Sequence, residues 1–180
     1  MKKIFSIPAN NRRDSFEKLI HPHLDQLYRV AFRFCGTRED AEDLVQDLVI
    51  KLFPKFDELA TIEQLRPWLT RAMYNLFVDN TRRYRRSPVM VHEDDPSVEI
   101  PDSGNTPDQE YDRARKLDQL QRMFDQLSDE HRNILALHDM EGYNLPELTT
   151  IMDVPLGTLK SRLHRAREKM RDLIKKNGTF

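Results

Sequence analysis

The stretch from Val154 to Met170 constrains the fold of this 180-residue chain more than any other, because two different faces recur in it at helical spacing. The apolar face steps by three and four residues and consists of Leu156, Leu159, Leu163, Ala166 and Met170. The opposite face is polar and basic and carries Thr158, Ser161, Arg162 and Arg165. A helix of this kind buries its apolar stripe and offers cations to phosphates and base edges, which is typical of a DNA recognition helix.

A second helix is predicted just upstream of this stretch. Asn144 can cap it, Pro146 is tolerated in its first turn, and Glu147 stands where a capping box needs a carboxylate. Its buried side is expected to consist of Leu148, Ile151 and Met152. Asp153 falls in the short turn between the helices and tolerates a left-handed backbone. The two helices together predict a helix-turn-helix; the alternative is a helical hairpin whose arginines form only a solvated face.

The composition favours an all-helical protein without a membrane span. Apolar residues recur at steps of three and four nearly throughout, the chain has five glycines, and no run of 18 apolar residues occurs. The first 13 residues lack the apolar core of a secretory signal, so we expect a cytoplasmic protein. The one cysteine, Cys35, excludes an internal disulfide and is expected to be a small buried hydrophobe.

The charges are segregated along the chain, although the net charge is only −1. Residues 66–86 carry a net charge of +5, and residues 155–176 carry +6. Residues 88–112 instead hold eight acids and no lysine or arginine. Two basic regions that flank an acidic segment favour a nucleic-acid ligand.

Helical patterning divides the chain into two small domains. We expect an N-terminal tail over 1–13, a helical domain over 14–87, a linker over 88–112, a second helical domain over 113–176 and a tail over 177–180. The linker is acidic and proline-rich and cannot bury enough apolar surface to fold alone. Its 25 residues reach about 85 Å when fully extended.

The third helix of the first domain is predicted to carry a second DNA-binding surface. Arg71, Asn75, Asp79 and Arg82 share one face of it, and Arg83, Arg85 and Arg86 follow at its end. The arginines suit phosphates, and the amide of Asn75 suits a base edge. Trp68 and Tyr84 offer stacking surface to unpaired bases, although Trp68 is expected to serve mainly as core.

The second helix exposes a row of acids and amides, which includes Asp43, Gln46 and Asp47, and Ile50 and Phe53 lie beside them. We interpret this row as a protein-docking surface, because carboxylates that point outward from one helix do not converge on a metal. The alternative is a metal-dependent nuclease. No histidine spacing, phosphate loop or nucleophile motif supports catalysis, so we expect neither an enzyme nor a cofactor or metal.

Four motifs give the chain a family resemblance. They are D-A-E-D-L-V-Q-D at 40–47, W-L-T-R-A-M-Y-N at 68–75, R-R-Y-R-R at 82–86 and G-T-L-K-S-R-L-H-R-A-R at 157–167. In combination they closely resemble bacterial RNA polymerase sigma factors of the extracytoplasmic-function group within the sigma-70 family. The resemblance covers about residues 14–87 and 112–176.

The resemblance implies roles for the surfaces described above. The first domain would be sigma region 2, in which Asp43, Gln46 and Asp47 grip the clamp coiled coil of core RNA polymerase. The minus-ten element would be melted and bound by Trp68, Arg71, Asn75, Arg82, Arg83, Arg85 and Arg86. The second domain would be region 4, which reads the minus-thirty-five element with Thr158, Lys160, Ser161, Arg162 and Arg165.

The implied partners are core RNA polymerase and promoter DNA. Members of this family are also commonly held inactive by an anti-sigma factor, and no small-molecule substrate is implied. The alternative function is an ordinary helix-turn-helix regulator that binds duplex DNA without polymerase. That alternative leaves Asn75 and the arginines at 82–86 without a role.

Overall fold

The computed structural model describes residues 9–86 and 119–176, and every regular element in these ranges is helical. The first range contains α1 (Ala9–Cys35), α2 (Arg38–Leu52), a 3₁₀ turn (Phe53–Lys55), α3 (Phe56–Leu59) and α4 (Leu65–Arg86). The second contains α5 (residues 119–125), α6 (Asp129–Leu135), a π-helical turn (Ala136–Met140), α7 (Leu145–Met152) and α8 (Leu156–Lys176). The all-helical prediction is confirmed. The predicted linker, 88–112, lies outside the described residues.

The corner between α1 and α2 is built by two residues next to each other in sequence. Gly36 ends α1 with a positive φ of 85°, and its amide donates to the carbonyl of Phe32 over 2.8 Å. The Thr37 hydroxyl then accepts from the amide of Asp40 and caps α2. Cys35, just before the corner, is largely buried, and burial raises the pKa of its thiol to about 12.

One bound of the first domain differs from the prediction. We expected a tail over 1–13, but α1 begins at Ala9, and Arg12 in its early turns bonds to Asp57 over 3.0 Å. The segment after Pro54 contains the short helix α3, in which Phe56 and Leu59 at helical spacing are both buried. Both helices contact a segment distant in sequence, since Phe56 also packs edge-on against Phe16.

The core of the first domain lies between α1, α2 and α4. It is built by apolar side chains at helical spacing, among them Ile20, Leu27, Phe34, Leu44, Leu48, Leu69 and Met73. The phenylalanines add edge-on aromatic contacts, such as Phe16 against Phe53 with ring centroids 5.3 Å apart. This core fixes α2 and α4 side by side.

The helix-turn-helix is confirmed in the second domain. The Asn144 side chain accepts from the amide of Glu147, and the Glu147 carboxylate accepts from the amide of Asn144, each over 2.8 Å. The predicted capping box is therefore complete. Asp153 has the predicted left-handed backbone, with φ 54° and ψ 48°. This geometry turns the chain from α7 into α8.

The two domains pack against each other in the described ranges. Helix α7 lies on α4, and α6 with its π-helical turn lies on α1. No helix in residues 9–86 and 119–176 is long and apolar enough to cross a membrane.

Candidate nucleic-acid interface

Helix α8 presents most of the predicted recognition residues to solvent. Thr158, Lys160, Ser161 and Arg165 are exposed, while Leu159, Leu163 and Ala166 are buried beneath them. Within the exposed face, Arg165 Nε donates to the Ser161 carbonyl over 3.2 Å. Leu156, which the pattern assigned to the apolar stripe, is instead 40 % exposed, because it begins α8 at the turn. The face can meet phosphates and base edges without rearranging the core beneath it.

Arg162 occupies a different environment from its neighbours on α8. Its Nη2 lies 3.1 Å from Oε2 of Glu130 on α6, and its side chain is only 14 % exposed. Sequence spacing placed it with the DNA-facing residues but contained no sign of this ion pair. To reach DNA, Arg162 must first leave Glu130.

Arginines of α8 lie close to titratable groups of α6 and the π-helical turn and shift their pKa values. Burial, and then the nearby Arg165, lower the pKa of His131, so this imidazole is neutral at pH 7. Hydrogen bonds from Arg167 hold the pKa of Asp139 below its ordinary value. The Arg167–Asp139 ion pair joins the middle of α8 to the π-helical turn and so restrains the position of α8 in its domain.

The predicted surface on α4 forms one wall of a cleft of about 340 Å³ between α2 and α4. Trp68, Arg71, Asn75 and Asp79 line the α4 side. Trp68 is half-buried and also packs on the core, so its ring serves both the core and the cleft. Arg71 and Asn75 are exposed. This cleft places cationic, amide and aromatic groups around one open space.

Sequence reasoning missed two members of this cleft. Lys51 and Lys55 line its opposite wall, from the end of α2 and the 3₁₀ turn that follows. Their spacing of four residues at the end of a helix that packs on α4 was the available signal. They add positive charge where the phosphates of a bound strand would pass.

The end of α4 extends this surface. Arg82 and Arg83 are exposed, and the ring of Tyr84 is 69 % exposed. Arg85 and Arg86 belong to the helix, but their side chains lie outside the described part of the chain. The described side chains therefore bring two cations and one stackable ring to the end of α4.

The predicted docking row on α2 is exposed. Asp43, Gln46 and Asp47 face solvent, and Ile50 beside them is 69 % exposed. The row lines a cavity of about 510 Å³ that Asp129 and Arg132 of the second domain also line. Within residues 9–86 and 119–176, no group of three or more His, Cys, Asp or Glu side chains is arranged to hold a metal ion.

Comparison with known proteins begins with sequence families. Residues 19–87 match the profile of Sigma-70 region 2, and residues 117–170 match that of Sigma-70 region 4. The ECF RNA polymerase sigma factor SigE of Mycolicibacterium smegmatis is 34 % identical over 92 % of this chain. The chain spans 63 % of that relative's length. SigM of Mycobacterium tuberculosis is 30 % identical over 90 % of this chain and 78 % of its own.

Solved structures show the same fold. The sigma factor RpoE in complex with the anti-sigma factor NepR, from Bartonella quintana, aligns with a TM-score of 0.71 at 25 % identity. The alignment covers 89 % of this chain and 96 % of the other. CnrH in complex with the cytosolic domain of CnrY aligns with a TM-score of 0.61 at 20 % identity, over 92 % of this chain and 91 % of the other.

Proposed function

The chain belongs to the extracytoplasmic-function group of RNA polymerase sigma factors, and from this premise we propose that it binds core RNA polymerase and directs it to specific promoters. The observation that carries the proposal is the presence of two different exposed surfaces in one chain that each carry cations. One is the exposed face of α8, and the other is the cleft between α2 and α4. A regulator that only binds duplex DNA needs the first surface and has no use for the second.

The second domain reads the minus-thirty-five element. Thr158, Lys160, Ser161 and Arg165 on the exposed face of α8 contact its major groove, and Arg162 joins them after leaving Glu130. Phosphate contacts by the lysine and arginines supply affinity that falls with salt, and base-edge contacts supply specificity.

The first domain opens and binds the minus-ten element. Asn75 pairs with the edge of an exposed base, and Trp68 and Tyr84 stack on unpaired bases. Arg71, Arg82 and Arg83, with Lys51 and Lys55, hold the strand's phosphates, and Arg85 and Arg86 continue this series along the sequence. The strand is stabilised in the single-stranded form because its bases gain stacking partners that the duplex state does not offer.

The protein partners bind the first domain. Core polymerase docks on Asp43, Gln46 and Asp47, where exposed Ile50 and Phe53 supply the apolar part of the interface. An anti-sigma factor regulates the chain, as the anti-sigma factor bound to the related RpoE supports. The chain acts in the cytoplasm and has no catalytic activity of its own; it confers start-site choice and strand opening on the polymerase.

The test combines the purified chain with core RNA polymerase in gel filtration, followed by run-off transcription from a pool of genomic promoter fragments. We expect co-elution and transcripts from a restricted set of promoters that share two sequence elements. Duplex DNA binding without co-elution would contradict the proposal and indicate the plain regulator. Magnesium-dependent cleavage of plasmid DNA would indicate the nuclease.

A further inference from the structure

The cleft between α2 and α4 contains one acidic side chain. Asp79 lines it one helical turn after Asn75, and it is the single carboxylate among the described residues around this space of about 340 Å³. The charged side chains beside it are cationic: Lys51, Lys55 and Arg71. A carboxylate in this position repels the phosphates that the cations attract, so it weakens binding to a nucleic acid of any sequence. Its presence in the cleft therefore needs a cause other than affinity.

Contacts within residues 9–86 and 119–176 do not account for Asp79. Its side chain is exposed and forms no hydrogen bond or ion pair with the described side chains, although Arg82 and Arg83 follow it by about one turn. Asp79 lies inside α4 (Leu65–Arg86), away from both ends, so it neither caps the helix nor complements the positive end of its dipole. The carboxylate oxygens are thus available to a ligand in the cleft.

Asn75 and Asp79 form a pair with complementary hydrogen-bonding properties. Residues four apart on a helix share one face, with Cβ atoms about 5–6 Å apart, so both side chains can contact one base that enters the cleft. The amide of Asn75 both donates and accepts, whereas an ionised carboxylate only accepts. The α4 wall of the cleft therefore presents an adaptable amide beside a fixed acceptor.

Bases differ in how well they match this arrangement. Cytosine, adenine and guanine each carry an exocyclic amino group that can donate to a carboxylate. In cytosine and adenine the neighbouring ring nitrogen accepts, which suits the N–H groups of Asn75. Thymine has no amino group, and its one N–H lies between two carbonyl oxygens, so a carboxylate that approaches this donor also approaches oxygens of like partial charge. Specificity of this kind comes from rejecting the wrong base as well as from binding the right one.

We propose that Asp79 is a specificity-determining residue of the cleft: its carboxylate accepts a hydrogen bond from the exocyclic amino group of an unpaired base and disfavours thymine at that position. The proposal rests on the proposed function, since it requires that the cleft binds single-stranded DNA. A charge-assisted hydrogen bond of this kind distinguishes two bases by at least about fivefold in affinity.

The test compares two short single strands that differ only at the base edge. One consists of thymine nucleotides. The other consists of 5-methylcytosine nucleotides, which keep the ring and the methyl group of thymine but have an amino group in place of O4 and an acceptor in place of the N–H. Stacking on Trp68 and contacts to phosphates are therefore closely similar for the two strands.

Fluorescence anisotropy of the labelled strands measures their affinity for the full chain, both free and in complex with core polymerase. Asp79→Ala removes the carboxylate, and Asp79→Asn replaces it with a neutral group of the same shape. Asp25→Asn is the matched control, because Asp25 is an exposed aspartate on α1 that does not line the cleft.

We expect the unaltered chain and Asp25→Asn to bind the 5-methylcytosine strand at least about fivefold more tightly than the thymine strand. In Asp79→Ala this preference is lost, and affinity for the thymine strand rises because the repulsive charge is gone. Asp79→Asn shows a reduced preference, since its amide oxygen still accepts from an amino group but no longer repels thymine. A disturbed fold would instead lower both affinities together.

Three results would overturn the inference and leave the proposed function standing. They are the same preference in the unaltered chain and in Asp79→Ala, no preference in the unaltered chain, and a parallel fall of both affinities in Asp79→Ala, which would assign Asp79 a structural role. Failure of the chain to bind either strand, free or with polymerase, would contradict the proposed function of the cleft itself.

Discussion

The guanidinium of Arg162 lies 3.1 Å from the carboxylate of Glu130, which leaves only 14 % of the arginine side chain exposed, whereas Arg165 one turn later is exposed and donates to the Ser161 carbonyl of its own helix. Before any DNA binds, Arg162 is therefore held in an ion pair, whereas Arg165 is exposed to solvent. An arginine that must break an ion pair before binding gains less from a phosphate or a base than one that does not.

We expect Arg165→Ala to weaken binding to minus-thirty-five DNA by about 1–3 kcal/mol and Arg162→Ala to weaken it less. Glu130→Gln should strengthen binding by up to about fivefold, since a surface ion pair contributes at most about 1 kcal/mol. Competition between promoter fragments for the polymerase complex measures all three. Arg171→Ala, an exposed cation further along α8, is the control. Equal losses of DNA affinity in Arg162→Ala and Arg165→Ala would contradict this prediction.

Asn75→Ala should impair opening of the minus-ten element more than initial binding of the duplex. Its amide lies in the cleft between α2 and α4, where we propose that it pairs with an exposed base. The loss of one such contact costs about 1–3 kcal/mol, or about 5- to 150-fold in the extent of opening. Fluorescence of 2-aminopurine placed in the element reports strand opening directly. Gln126→Ala, an exposed amide in the second domain, should have no effect.

Asp43→Asn should lower affinity for core polymerase by about tenfold with little change in the fold, because Asp43 is exposed and lies in the docking row. The difference between the two proteins should shrink as salt is raised, since salt screens the lost charge. Titration of labelled chain with core polymerase at two ionic strengths measures both effects. Glu63→Gln removes an exposed charge two residues before the start of α4 and serves as the control. Unchanged affinity at low salt would argue against the docking assignment.

Asn144→Ala should destabilise the second domain by about 1 kcal/mol, because it removes the side-chain acceptor of the capping box and leaves the amide of Glu147 without its partner. Thermal or urea unfolding measures this loss. Thr150→Ala, at an exposed position later in the same helix, should not destabilise the protein. A loss shared by both variants would assign the effect to general helix content and not to the cap.

Asp139→Asn should lower the free energy of unfolding at neutral pH by up to about 1 kcal/mol, a figure limited by solvent screening of this partly exposed pair. Hydrogen bonds from Arg167 lower the pKa of Asp139 in the folded state. The contribution is therefore present above the ordinary carboxyl pKa of about 3.9 and is lost as pH falls through the lower folded value. Urea unfolding at a series of pH values should show the two proteins converging in acid. A difference that grows in acid would contradict this sign.

Helices and caps that depend on residues close together in sequence were predicted well. Gly36, Thr37, the capping box at Asn144 and Asp153 act within four residues of the groups that they contact, so the sequence contains the whole interaction. The candidate DNA and docking residues were reached from helical spacing and resemblance, and their roles remain predictions.

Contacts between distant segments were not predictable in this way. Arg162 meets Glu130 across the second domain, and Tyr143 meets Thr70 across the two domains. Neither pairing leaves a pattern in the periodicity of the sequence. Lys51 and Lys55 are spaced by four residues, but they join the cleft only because α2 packs on α4. Tertiary packing determines these contacts.

The burial of Cys35 beside the α1–α2 corner has a consequence for redox chemistry. Oxidants such as peroxides attack the thiolate, and a thiol with a pKa near 12 is almost entirely protonated at cellular pH. The sulfur also contacts the backbone carbonyl of Asp40 and lines the cavity beside the docking row. The raised pKa of this thiol, and not a lack of access, therefore disfavours its oxidation at cellular pH.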